Sequence, residues 1–153
     1  MANGVASKSK STFRQECSVS IRINASPERL WALLTTAQDM PRWNSTITSV
    51  EGRIASGETI KLKVTAAPQR VFTLKVSEWT PNRRMVWRDG AAPMFQGVRT
   101  YTLTPSAEGA TEFAMVEVFS GLMLPMIAGS LPDFGPSFEQ YAADLKKEAE
   151  KQS

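Results

Sequence analysis

Residues 136–152 read PSFEQYAADLKKEAEKQ, and this stretch decides the fold. Its apolar residues recur three or four positions apart, at Phe138, Tyr141, Ala142, Leu145 and Ala149. This spacing places them on one side of an α-helix, and the lysines of the last turns suit the negative end of that helix. The sequence therefore predicts a C-terminal amphipathic helix whose apolar side packs against another element.

The element that meets this helix is predicted from the alternation of apolar and polar residues earlier in the chain. The strand-like runs are residues 13–23, 47–54, 57–65, 72–77, 85–88, 95–103 and 111–119. Each separating segment contains Gly, Pro, Asn or Asp, and the connections are of hairpin length. These features are typical of an antiparallel sheet.

One stretch between the first two strands has helical features. In NASPERLWALLTTAQDMPRW, residues 24–43, Ser26 is suited to cap a helix and Pro27 to its first position. The predicted order is a strand, two short helices, six strands and the long C-terminal helix. This order predicts an α+β fold with an antiparallel sheet of about seven strands, whose inner face the last helix covers. A space between sheet and helix would be the place for a ligand.

The composition excludes several classes of function. The chain has 153 residues, a net charge of +3 and no block of five like charges, so a nucleic-acid partner is not expected. It has no histidine and one cysteine, which leaves no usual zinc site and no Ser-His-Asp or Cys-His nucleophile. We therefore expect no metal and no cofactor. Any catalysis would have to use carboxylates, Arg, Lys, Tyr or water.

The length fits one domain, expected over residues 13–152 after a disordered leader at residues 1–12. That leader lacks the apolar core of a signal peptide, and the lone Cys17 favours a reducing compartment, so a cytoplasmic location is expected. The longest uncharged run, residues 118–132, is shorter than the roughly 20 residues that span a membrane, so no integral membrane segment is expected.

Two segments resemble a known superfamily. INASPERLWALLTTAQDMPRWN near the start and TYTLTPSAEGATEFAMVEVFSGLMLP near the end are similar to the START-like (SRPBCC) superfamily, above all its bacterial branch of polyketide cyclases/dehydrases and lipid-transport proteins. The resemblance covers about residues 13–150. It implies a helix-grip fold, in which a curved sheet wraps around the long helix. Members bind lipids, sterols, polyketides and plant hormones, and a minority are enzymes.

The sharpest local signal is a pair of charges on two neighbouring strands. In the predicted strand 95–103, Arg99 falls on the same face as the apolar residues, and in residues 113–119 Glu117 does so as well. A turn centred on Glu108 would bring them opposite each other or one diagonal step apart. Such a pair is either a structural cross-strand pair or a ligand contact, and Glu117 is the only plausible general base.

Other candidates for ligand binding are the large residues expected to face the helix or the mouth of the fold. With the charged pair, the candidates are Trp43, Leu62, Phe72, Trp87, Phe95, Arg99, Tyr101, Met115, Glu117, Phe119, Met123, Ile127, Phe134, Phe138 and Tyr141. Trp43 is equally interpretable as a core residue that anchors the helix pair, and Trp87 as packing. Asp89, beside Gly90, is interpreted as a turn residue.

Residues 120–138, SGLMLPMIAGSLPDFGPSF, join the last strand to the last helix. Pro125 is suited to start a short apolar helical piece, and the glycines and prolines near residues 130–136 predict a hinge before the long helix. This stretch is either a rigid, packed connection or a mobile lid over one end of the cavity.

Three functions are compatible with these features. The first is binding or transport of a small hydrophobic ligand, such as a lipid, an isoprenoid or a polyketide-like compound, by a monomer or weak dimer. The second is a cyclase or dehydratase in which Arg99 polarises a carbonyl and Glu117 relays a proton. The third is a stress-response or co-chaperone-like interaction module.

Overall fold

The computed structural model describes residues 4–151, which form one antiparallel sheet and four α-helices. The strands are β1 (Ser7–Ser11), β2 (Arg14–Ile23), β3 (Ile47–Glu51), β4 (Thr59–Val64), β5 (Phe72–Thr80), β6 (Arg84–Ala91), β7 (Phe95–Pro105) and β8 (Thr111–Ser120). The helices are α1 (Pro27–Thr35), α2 (Met40–Trp43), α3 (Leu124–Ile127) and α4 (Gly135–Ala149). The order across the sheet is β1-β2-β8-β7-β6-β5-β4-β3. The predicted α+β helix-grip fold is confirmed, with eight strands instead of about seven.

The additional strand is β1, and it lies where the sequence predicted a disordered leader. That prediction is wrong for residues 7–11, which pair in register with β2. All five side chains of β1 are exposed, so the strand is held by backbone hydrogen bonds and leaves no alternating apolar pattern. Residues 1–3 of the predicted leader and residue 152 of the predicted domain lie outside the described residues.

The first helix forms where the sequence predicted it. Ser26 accepts a hydrogen bond from the backbone N–H of Arg29 at 3.1 Å, and Pro27 occupies the first turn, where its missing N–H has no consequence. The apolar stripe of α1 is buried, as Leu30 and Leu34 are fully enclosed. The N-terminal signal and the periodicity thus agree with the observed helix.

The connection between β8 and α4 consists of short helical pieces with a break. Helix α3 is followed by a single 3-10 turn at Ala128–Ser130, by an extended Leu131 and by residues 132–134, which belong to no helix. The carboxylate of Asp133 accepts a hydrogen bond from the backbone N–H of Gly135 at 2.9 Å, which satisfies one of the free N–H groups at the start of α4. The predicted short helix and the break before the long helix are confirmed.

The apolar side of α4 is the centre of the core. Its five predicted stripe residues are all buried, at most 4% exposed: Phe138, Tyr141, Ala142, Leu145 and Ala149. The ring of Tyr141 stacks on Phe113 of β8, with centroids 6.3 Å apart. The helix therefore packs against the middle of the sheet, and the space between them is filled largely by aromatic rings.

Candidate functional site

Arg99 and Glu117 face each other across the hairpin of β7 and β8. The strand register pairs them directly, around a turn in which Glu108 has a φ of 60°. The Nε of Arg99 donates to Oε1 of Glu117 at 2.7 Å, a distance typical of a hydrogen bond between two charged groups. The predicted cross-strand pairing is confirmed, and it takes the form of a short ion pair.

Aromatic side chains surround this ion pair on the helix side. The guanidinium carbon of Arg99 lies 5.1 Å from the centre of the Phe138 ring, within cation-π distance. The Nη1 of Arg99 donates to the Tyr101 hydroxyl at 3.4 Å, and the Tyr141 hydroxyl donates to the same oxygen at 3.1 Å. The side chains of Arg99 and Glu117 are only 11% and 10% exposed. The two charges are therefore almost removed from bulk water.

Each member of the pair keeps one polar atom without a protein partner. Within residues 4–151, the Nη2 of Arg99 and the Oε2 of Glu117 form no hydrogen bond. Neither atom is fully enclosed, so both have access to open space. A donor and an acceptor of the same ion pair thus remain available in a buried position.

The surroundings determine the protonation of these groups. Burial raises the pKa of Glu117, and Arg99 opposes this rise without cancelling it. Burial lowers the pKa of Arg99, but Glu117 and Tyr101 raise it by more, so the guanidinium stays charged. Burial also raises the pKa of the Tyr101 and Tyr141 phenols. The site combines a permanent cation, a carboxylate that is easier to protonate than a solvated one, and two neutral phenols.

A small space next to the ion pair is called the inner cavity. Its volume is about 30 Å³. Its walls are Leu62, Val64, Phe72, Leu74, Asp89, Gly97, Arg99, Glu117, Phe119 and Phe134. A cavity of this size has room for roughly one or two water molecules. The sequence predicted a ligand space between sheet and helix; such a space is present, but side chains fill most of it.

Gly97 keeps the inner cavity open. A Cβ at this position would lie 3.2 Å from the Phe119 ring and 3.4 Å from the Oε2 of Glu117. Gly97 is within the regular part of β7, so the tight surroundings, and not an unusual backbone angle, favour glycine here. A methyl group at this position would contact Oε2 and occupy part of the space beside it.

Asp89 is a wall of the inner cavity that the sequence analysis missed. Its interpretation as a turn residue is wrong, because β6 continues through Gly90 and Asp89 pairs with Gly97. Asp89 is half-buried, and its negative charge contributes to the raised pKa of Glu117. Asp89 is two residues from Trp87 and four from Met85, so it falls on the same face of the strand. This was the available signal, but the neighbouring Gly90 favoured the interpretation as a turn.

A larger space, the outer cleft, lies between the β1–β2 edge of the sheet and residues 128–134, called here the cover segment. Its volume is about 370 Å³, within the roughly 300–1,000 Å³ of small-molecule sites. Its walls are Lys8, Ser9, Lys10, Gln15, Glu16, Cys17, Phe119, Ala128, Leu131, Pro132, Asp133 and Phe134. This cleft was not predicted from the sequence, because residues 7–11 were expected to be disordered.

Two phenylalanines separate the two spaces. Phe119 and Phe134 are walls of both the inner cavity and the outer cleft, and their rings stack with centroids 5.8 Å apart. Phe134 belongs to the cover segment, which Lys8 holds through its Nζ at 3.0 Å from both carboxylate oxygens of Asp133. These two rings are therefore a shared wall between the outer cleft and the inner cavity that contains the ion pair.

Cys17 lines the outer cleft beside Glu117, with which it pairs across β2 and β8. Burial, with a further contribution from the charge of Asp133, raises the pKa of this thiol to about 11. The thiol is therefore protonated at neutral pH and is a poor nucleophile.

The predicted ligand-binding residues fall into three groups. The walls of the inner cavity include Leu62, Phe72, Arg99, Glu117, Phe119 and Phe134. The core around it, outside both spaces, contains Trp43, Trp87, Tyr101, Met115, Phe138 and Tyr141. The half-buried residues, also outside both spaces, are Phe95, Met123 and Ile127. Contact between any of these residues and a ligand stays a prediction.

The family comparison agrees with this architecture. The family described as polyketide cyclase/dehydrase and lipid transport matches residues 14–150. The chain belongs to this family. It is thereby a START-like protein, as the resemblance of its two segments predicted. No curated protein matches the sequence.

Solved structures of low sequence identity share the fold. A protein from Rhodobacter sphaeroides is 22% identical, with a TM-score of 0.68 over 94% of this chain and 96% of its own. A START superfamily protein from Mycobacterium smegmatis is 18% identical, with a TM-score of 0.64 over 88% and 97%. Truncated norcoclaurine synthase from Thalictrum flavum is 11% identical, with a TM-score of 0.65 over 94% and 99%. At these identities the likeness establishes the fold alone.

Among residues 4–151, no three His, Cys, Asp or Glu side chains are grouped so that they could hold a metal ion. No helix in the same range has the length and apolar character needed to cross a membrane.

Proposed function

We propose that this protein binds a small hydrophobic ligand, such as a lipid, an isoprenoid or a polyketide-like compound. The apolar part of the ligand lies in the outer cleft, and its polar end reaches the Arg99–Glu117 pair. The family description, which includes lipid transport, supports a ligand of this kind. The observation that carries the proposal is the arrangement of a ligand-sized cleft and a buried ion pair with open hydrogen-bonding atoms on the two sides of one aromatic wall.

The volumes limit how the ligand is accommodated. The inner cavity, at about 30 Å³, is too small for an acyl chain or an aromatic ring system. The outer cleft, at about 370 Å³, is large enough for the body of such a compound. The ligand therefore occupies the cleft first, and its polar end reaches the ion pair when Phe134 moves aside.

The cover segment is suited to this movement. Its tie to β1 is the ion pair of Lys8 and Asp133, whose side chains are more than half exposed, and exposed pairs of this kind contribute little to stability. The main attachment is Phe134, which is buried against Phe119 and Phe138. Burial of one such ring is worth about 1.5–3 kcal/mol, so the opened form is a minor but accessible state.

The test measures binding of an apolar probe to the wild type and to a variant whose outer cleft is blocked by a larger side chain. Fluorescence of the neutral probe N-phenyl-1-naphthylamine reports apolar sites, and native mass spectrometry gives the number of bound molecules. We expect one molecule per chain, and loss of binding in Ala128→Trp, whose indole fills the cleft. Ala107→Trp, in the exposed β7–β8 turn, is the matched control and retains binding. Absence of saturable binding, or equal binding by both variants, would overturn the proposal.

An enzyme of the cyclase or dehydratase type is the second candidate. The observation in its favour is that the accessible carboxylate Glu117 has a raised pKa beside a fixed cation, as suits proton relay next to a polarised carbonyl. If an aromatic polyketide is turned over, Glu117→Gln abolishes kcat while the variant still binds the substrate. Unchanged turnover in this variant would remove Glu117 from the mechanism.

A further inference from the structure

The charges around the inner cavity indicate which polar group the ligand carries. Three charged side chains line this cavity: the guanidinium of Arg99 and the carboxylates of Glu117 and Asp89. When all three are ionised, the cavity holds one positive and two negative charges. The guanidinium is already bonded to one of the carboxylates at 2.7 Å, so it is not a free anion site.

The open hydrogen-bonding atoms narrow the choice further. The Nη2 of Arg99 can only donate, and the Oε2 of an ionised Glu117 can only accept. Within the described part of the chain neither atom has a partner. A group that satisfies both must accept one hydrogen bond and donate another, within the space left by Gly97.

We propose that the site selects a ligand with an uncharged polar end that both donates and accepts, such as a hydroxyl or a primary amide, and rejects an ionised carboxylate. This inference rests on the proposed function, because it assumes that the ligand lies in the cleft with its polar end toward Arg99. It separates long-chain alcohols and amides from free fatty acids, two classes with the same apolar part.

The physical reason is the balance of charge and desolvation. An entering carboxylate would lose its hydration while facing two carboxylates and one guanidinium that is already neutralised. Like charges brought together in a poorly hydrated interface are strongly disfavoured. An alkylammonium would be attracted by Asp89 and Glu117, but it would leave the Nη2 of Arg99 unpaired and add a second cation beside it. A hydroxyl or amide satisfies both open atoms without adding charge.

The test compares polar ends on one apolar chain. Displacement of N-phenyl-1-naphthylamine at pH 8 is measured for decan-1-ol, decanamide, decylamine and decanoate, which share a chain of the same length. We expect the alcohol and the amide to bind at least about tenfold more tightly than decanoate, with decylamine weaker than both. Decanoate binding as tight as the alcohol, or tighter, overturns the inference, and so does a preference for the amine.

Two variants locate the effect. Asp89→Asn removes one half-buried negative charge, and we expect it to narrow the difference between alcohol and carboxylate several-fold. Asp144→Asn, a carboxylate on α4 outside both spaces, is the matched control and leaves the difference unchanged. Asp89→Asn is the primary variant because it leaves the Arg99–Glu117 pair intact. If Asp89→Asn and Asp144→Asn behave alike, the assignment of the charges is wrong.

The outcomes distinguish this inference from the proposed function. If all four compounds bind equally well, the proposed function stands and the selection by polar end is overturned. If none of them displaces the probe and the probe itself does not bind, the proposed function fails, and the inference fails with it. A preference for the alcohol that disappears in Gly97→Ala would support both, because the added methyl group fills the space beside Oε2 without requiring a new backbone angle.

Discussion

The two halves of helix α4 pack against the same sheet with different chemistry. In the C-terminal half, Ala142 and Leu145 are fully buried, and the end of the helix is fixed by Arg29, which donates to the backbone oxygens of Ala149 and Glu148 at 3.2 and 3.1 Å. In the N-terminal half, Phe138 lies over the guanidinium of Arg99, and the chain just before the helix borders both the inner cavity and the outer cleft.

The C-terminal half of α4 thus contributes mainly to stability, and its N-terminal half lies next to the proposed ligand site. The C-terminal half, residues 142–149, is called here the closed half. It contributes burial of apolar surface and a helix end whose carbonyl groups are hydrogen-bonded, and both stabilise the fold. The N-terminal half, residues 135–141, is called here the open half. It lies beside the buried Arg99–Glu117 pair, whose unpaired polar atoms and adjoining unfilled volume cost stability and favour binding of a ligand there. Three changes test whether the two halves differ in this way.

The largest effect is expected from breaking the ion pair at the open half. Arg99→Met leaves Glu117 buried without its cation, and we expect the free energy of unfolding at pH 7 to fall by about 3–5 kcal/mol. Equilibrium unfolding in urea measures this loss. The double variant Arg99→Met/Glu117→Leu should recover most of it, because no buried charge remains. If the double variant is as unstable as the single one, the pair is a structural element that the fold requires.

A cavity-forming substitution in each half gives the next effect. Leu145→Ala removes a side chain that is fully enclosed, and we expect a loss of about 2–5 kcal/mol with unchanged probe binding. Phe134→Ala removes a larger side chain, but it already borders two empty spaces, so we expect a loss of only about 1–2 kcal/mol, below the range usual for this substitution. Phe134→Ala should also bind the probe more tightly. A larger loss for Phe134→Ala than for Leu145→Ala would contradict the distinction.

The smallest effect is the pH dependence of the stability that two carboxylates contribute. Hydrogen bonds from Arg42 and Lys151 lower the pKa of Glu148 at the closed half, so its contribution to stability is present above pH 4.5 and is lost as the pH falls below that value. Burial raises the pKa of Glu117, so its contribution is present below pH 4.5 and is lost as the pH rises.

Stability curves between pH 3 and pH 8 check these signs. The difference between wild type and Glu148→Gln should grow in favour of wild type as the pH rises. The difference between wild type and Glu117→Gln should move the other way. Parallel curves for the two variants would mean that the two carboxylates have similar surroundings.

The sequence predicted the parts of the fold that burial controls. The stripe of α4, the cap at Ser26 and the alternation that pairs Arg99 with Glu117 all reflect apolar periodicity or local hydrogen bonding, which are visible in one sequence. Strand β1 was not predictable in this way, because its five side chains are exposed and its pairing with β2 uses backbone hydrogen bonds.

The candidate site was predictable only in part for the same reason. The alternation within β7 and β8 predicts that Arg99 and Glu117 face the helix, but the outer cleft depends on β1 and on the path of the cover segment. Gly97 matters through the space beside it, which the spacing of residues does not reveal. The alternation of Asp89 with Met85 and Trp87 did indicate its strand face, but the pairing of Asp89 with Gly97 depends on the register of β6 and β7.

Hydrogen–deuterium exchange with and without saturating decan-1-ol tests the central claim most directly, with occupancy checked by native mass spectrometry. We expect binding to change the exchange of residues 121–136, which include the cover segment, and to leave residues 142–149 of α4 unchanged. Bound ligand with unchanged exchange at residues 121–136, or with its main effect at residues 142–149, would contradict the claim that the ligand binds at the open half of α4 beneath the cover segment.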